Sequence, residues 1–80
     1  MNSDDASTLG DPLSHLIDAD REGRAARIFT RSGVTDAGGT VGRAVAYRLG
    51  DERHTIVFRV ARDERDIVVE VGDLVRVERV

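Results

Sequence analysis

The 80-residue chain reads as mainly β, a short N-terminal α-helix followed by a five-stranded small barrel. Two observations predict this. Beyond residue 23 the apolar residues alternate with a period of two, the signature of half-buried strands. Ahead of them, Asp11-Pro12 opens a stretch with apolar residues at helical spacing, the only such stretch in the chain.

Residues 1–10 are polar, small and acidic, with nothing to bury; they are expected to form a disordered acidic leader. Residues 11–80 then make a single domain. Asp11 suits the N-cap, where a carboxylate accepts orphan backbone N–H groups, and Pro12 suits the first helical position. Leu13, Leu16 and Ile17 follow on one face, and Gly23 offers the left-handed stop near Glu22. So short a helix must pack on something to persist.

Ala26, Ile28 and Thr30 fall on one side of the next run, with Phe29 opposite. Residues 32–40 are rich in glycine, serine and threonine and read as a loop. From Val41 to Leu49 the larger side chains Val41, Val45, Tyr47 and Leu49 share a face, and Gly42, Ala44, Ala46 and Arg48 share the other. Ile56, Phe58 and Val60 form the next stripe, then Ile67, Val69 and Val71, and Leu74–Val80 closes the chain as the candidate edge strand. The triplet Asp-Glu-Arg recurs at 51–53 and 63–65, each time ahead of a β-branched pair, as expected of two hairpin turns in a meander.

Composition bounds the function more by exclusion than by direction. There is no cysteine, so neither a disulfide nor a thiolate metal site can support a core that is small at this length. Oligomerisation would be the natural supplement. No apolar run approaches the roughly 20 residues of a membrane helix, and the opening residues lack the basic and apolar regions of a signal peptide. No membrane partner is expected, and the expected location is cytoplasmic or within a viral particle. All 12 cationic residues are arginine, as in a GC-rich genome, and aspartate outnumbers glutamate, a leaning associated with a halophile. The net charge of −3 is uneven: acids dominate residues 1–22, whereas residues 23–80 carry a small arginine excess. That excess can form a patch for an anion but is no polybasic surface.

No enzyme is expected. Gly33–Thr40 imitates a phosphate loop, but glycine stands where the lysine belongs and a strand follows where a helix is needed. His15 and His54 cannot build a zinc site unaided. Ser14, His15 and Asp18 are close in sequence, but the adjacent Ser14 and His15 point apart on a helix, so no serine–histidine relay follows. No catalytic residue, metal, cofactor or small-molecule substrate is therefore assigned. The aromatic residues Phe29, Tyr47 and Phe58 all lie within strands, leaving few to stack on bases.

Asp11–Leu16 at the helix, Gly42 inside the second strand, Asp51–Phe58 with an aspartate and a histidine ahead of an apolar strand, and Val71-Gly72-Asp73-Leu74-Val75 before the last strand together resemble the Sm-like family. Its members carry a short helix and a strongly bent five-stranded barrel that assembles into rings. The resemblance implies self-association and a ligand-binding set of Asp51, His54, Thr55, Gly72 and Asp73 near a ring lumen, with single-stranded RNA as the candidate ligand. It is imperfect: Thr55 replaces the asparagine that reads a base edge, Val71 replaces the arginine that closes the pocket, and the stretch from Gly42 to Asp51 is longer. RNA binding is then weak or lost.

The expected function is thus a non-enzymatic binding or assembly module joined to itself or to a partner protein through open strand edges. The alternative is a structural or adaptor subunit of a larger assembly, such as a viral connector or accessory chain, with an SH3-like barrel and residues 1–10 docked on a neighbour.

Overall fold

A computed structural model describes residues 12–80. The expected leader and the capping Asp11 lie outside the described residues. Helix α1 spans Pro12–Arg21, and five strands follow: β1 Ala26–Thr30, β2 Thr40–Leu49, β3 His54–Val60, β4 Asp66–Glu70 and β5 Leu74–Arg79. A single 3₁₀ turn, Val71–Asp73, joins β4 to β5. The helix stops as the sequence expects, at Gly23 with φ of +69°. Both Asp-Glu-Arg triplets lie in hairpin turns, between β2 and β3 and between β3 and β4.

The strands form one antiparallel sheet in the order β4-β3-β2-β1-β5. The expected mainly-β architecture is therefore present, but the sheet is not closed into a barrel: β4 and β5 remain as its two edges. It is nonetheless strongly curled. Glu70 pairs across from Thr55 beside the far end of β2, whereas Leu74 pairs with Thr30 at the near end. Four residue steps from Glu70 to Leu74 reach at most about 14 Å. Across a flat sheet, four strand spacings alone would need about 19 Å. Only curvature brings the end of β4 to the start of β5.

Two features supply that curvature. The ladder shifts register between Ala44 and Ala46, and again between Phe29 and Thr30, and such bulges bend a strand and increase its twist. At Gly42, a Cβ would collide with the Arg59 carbonyl oxygen and come within 2.8 Å of Phe58 Cε2, so β2 and β3 approach there as only glycine allows.

The bulge also corrects the expected facing of β2. Inward come Thr40, Gly42 and Ala44, the small side, while Val45 and Leu49 are 46% and 69% exposed. Past the bulge the strand turns over and Tyr47 packs against the core. A tightly curved inner surface has room for glycine and alanine where a flat strand would take valine. The other stripes face as expected: Ile56, Phe58, Val60 and Val69 are buried, with Ile67 and Val71 packed at the margin. On α1, Leu16 is buried and Leu13 packs on the core, but the third inward residue is Ala19 rather than Ile17. The helix lies chiefly on β5 and touches β2. Arg79 of β5 reaches Asp18 at 3.6 Å and Glu22 at 3.4 Å, fixing the helix end to the strand. Tyr47 points its hydroxyl into this layer, where it is buried without a hydrogen-bond partner among the described residues. Burial first, and Asp20 second, push its pKa above the ordinary tyrosine value.

Candidate functional site

The five residues implied by the resemblance divide into two groups. Asp51 and His54 are exposed in and just after the β2–β3 turn, and His54 opens β3 opposite Leu49. Thr55, half-buried, stands across the ladder from Glu70. Gly72 and Asp73 sit in the 3₁₀ turn that follows Glu70, so the fold brings Thr55 toward them through one strand pairing. Asp51 stays at the hairpin tip.

Asp73 is held by the β1–β2 loop. Its carboxylate accepts a hydrogen bond from the Ser32 backbone N–H at 2.9 Å and another from the Ser32 hydroxyl, while its carbonyl accepts the Arg31 N–H at 2.9 Å. Three bonds thus latch the start of β5 to the end of β1. Around the latch lies a shallow opening of about 320 Å³ lined by Ser32, Glu70, Gly72 and Asp73. Among the described residues its lining carries two carboxylates and no cation, and Arg53 lies 3.9 Å from Glu70. Such a lining repels phosphate oxygens. No group of three or more histidine, aspartate or glutamate residues is placed to hold a metal ion among the described residues. Among the described residues no helix is long and apolar enough to cross a membrane.

The larger of the two concavities lies elsewhere, against the Gly33–Thr40 loop that the sequence offers as an interstrand loop and not as a site. A half-open groove of about 450 Å³ runs between the β1–β2 loop and the β3–β4 turn. Val34, Val41, Val60 and Ile67 give it an apolar lining, Arg62 and Arg65 come from the turn, and Asp36 and Gly39 from the loop. The loop wall is set by Thr40, whose hydroxyl oxygen accepts the Asp36 N–H at 3.1 Å, and by Gly39 at φ of +87° against the Arg27 and Phe29 side chains. The turn wall is set by Val60, which donates to the Arg65 carbonyl at 2.8 Å and accepts from Glu64 at 2.8 Å. Glu64 pays for that turn with a φ of +56°, a region glycine would occupy more readily. The loop and the turn are far apart in sequence; each was visible there by itself, as the Gly33–Thr40 loop and the second Asp-Glu-Arg turn, but not their meeting.

The edges are the third feature. Outside the ladder, β4 shows Val68 at 60% exposure between Asp66 and Glu70, with no basic residue in the strand. Val68 pairs with Val57 of β3 and Val57 with Ala46 of β2, next to the exposed, bulged Val45. On the other edge, β5 shows Val75 at 51% and carries Arg76 and Arg79 against Glu78. Arg76 lies over the Phe29 ring, 5.3 Å from its centroid, and also pairs with Glu78. Asp66 is held by Arg59, whose Nε donates to Oδ1 at 2.8 Å, and this hydrogen bond first of all lowers the Asp66 pKa below the ordinary aspartate value. No family model matches the chain, and no curated protein or solved structure matches it.

Proposed function

We propose that the protein is a non-enzymatic assembly module that associates with further copies of itself edge to edge, β4 of one copy against β5 of the next. The observation that carries this reading is the asymmetry of the two edges: an acidic β4 with Asp66 and Glu70, and a β5 in which Arg76 and Arg79 outnumber Glu78. Unpaired backbone groups on a sheet edge are satisfied by a neighbouring strand. Pairing β4 with a second β4 would set acids against acids, whereas β4 against β5 sets acids against arginines. A head-to-tail contact of this kind closes into a ring or propagates as a filament. The curled sheet with short β4–β5 connection supports grouping the fold with small Sm-like or SH3-like barrels that are left open at one seam.

The test is the native mass of the full chain by light scattering across a range of ionic strength. Assemblies larger than a dimer, dissociating in Val68→Lys and in Val75→Lys while circular dichroism stays unchanged, are the expected result. A monomer at high concentration and low salt overturns the reading. Single-stranded RNA remains a candidate ligand of such an assembly. Titration with U-rich and A-rich oligonucleotides at low salt, where phosphate contacts are strongest, with His54→Ala as the control, reports on it separately.

A further inference from the structure

We infer that the groove between the β1–β2 loop and the β3–β4 turn is a binding site for a small amphiphilic monocarboxylate, an aliphatic body ending in one negative charge. The size is that of a small-molecule site: about 450 Å³, within the range of roughly 300–1,000 Å³ typical of ligand pockets. The lining divides by chemistry. Val34, Val41 and Ile67 offer branched aliphatic surface with the buried Val60 behind them, and Val34 is 39% exposed, an apolar side chain left in water at the mouth. Covering such surface is favourable at roughly 25 cal/mol per Å².

The charged residues select the headgroup. Arg62 and Arg65 enter from the same turn, and a guanidinium pairs with a carboxylate through two parallel hydrogen bonds. Arg62 makes no ion pair among the described residues, and the contact of Arg65 Nε with Asp63 is long, 3.9 Å, so both forks have donors to spare. Asp36 lines the same groove, so its formal charge is +1. One negative charge neutralises that lining, whereas a polyphosphate or nucleic-acid backbone brings more anion than it balances and meets the Asp36 carboxylate. An aliphatic ammonium would meet two like charges. The groove takes Ile67 from β4 and no residue from β5.

The experiment is a titration of the full chain with octanoate, octanol, octylamine and pyrophosphate, followed by amide and methyl NMR shifts and by calorimetry. Octanoate below its micellar range should give saturable shifts at Val34, Val60 and Ile67, with octanol, octylamine and pyrophosphate at least about tenfold weaker, the scale of one lost charge-assisted hydrogen bond. Arg62→Gln/Arg65→Gln should weaken octanoate about tenfold or more with an unchanged dichroism spectrum, and Asp36→Asn should leave it as tight or tighter. Octanol binding as well as octanoate, shifts spread over the outer sheet face instead of the groove, or a double variant that binds as the parent each overturns the proposal.

Discussion

The two edge strands begin from similar material and end in different circumstances. Both are short, β-branched and half exposed, yet β5 is braced and β4 is bare. Helix α1 lies on β5, burying Leu16 and Ala19, Arg79 ties it to Asp18 and Glu22, and the Ser32–Asp73 latch fixes its first residues. Strand β4 has its ladder with β3, the buried Val69, Ile67 at the core margin and two exposed ion pairs, Asp66 with Arg59 and Glu70 with Arg53. Two short, β-branched edge strands are therefore expected to differ in stability through what covers their faces, since packing outweighs propensity in sheets.

The sharpest test is Leu16→Ala, which removes the brace. Loss of a fully buried leucine should cost about 2–5 kcal/mol in chemical denaturation, against about 0.5 kcal/mol or less for Val68→Ser on the bare edge. Equal costs would abolish the distinction. Next comes Gly42→Ala, which places a Cβ against the Arg59 carbonyl and resists the curl that brings the two edges together. A destabilisation of roughly 1–3 kcal/mol is expected, with faster amide exchange along β2 and β3. If the variant is as stable as the parent, the close approach of those strands is not needed.

Asp73→Ala removes the two side-chain bonds of the latch and keeps its backbone bond from Arg31. A loss of about 1 kcal/mol is expected, with the Arg31 and Ser32 amides exchanging faster while those of β4 are unchanged. Uniform change across both edges would mean that the latch does not belong to β5 alone. The smallest effect concerns Asp66. Its folded pKa lies below the unfolded value, so its contribution is present above the unfolded pKa and fades as pH falls through the folded one. An NMR titration should place its midpoint below that of an unperturbed aspartate, moving upward in high salt because the pair with Arg59 is exposed. A midpoint insensitive to salt and to Arg59→Gln would remove that tie from β4.

Much of this fold was legible because strands announce themselves by alternation and hairpins by their turn residues. Phe58 between Ile56 and Val60 could face only inward, and both Asp-Glu-Arg triplets fell in turns. The facing of β2 was not legible, since one bulged residue, Val45, reverses every later side chain and leaves no mark in the pattern. Ala19 was passed over because alanine signals little hydrophobicity yet fits where helix and sheet come close. Of the candidate site, Gly72 and Asp73 could be placed before the last strand, but the Ser32–Asp73 bonds join residues 41 apart. The groove was hidden for a similar reason, its two walls meeting only after β2 and β3 have paired.

The place of β1 also has a kinetic meaning. Strands β2, β3 and β4 are neighbours in sequence and pair through short turns, so their meander needs only local loop closure. Strand β1 sits between β2 and β5, and its pairing of Ala26 with Arg79 joins nearly the two ends of the described chain. Closing that long loop requires the intervening chain to be ordered or its entropy to be lost at once. Refolding should therefore proceed with the meander early and the docking of β5 on β1, together with its helix, as the late event that sets the rate.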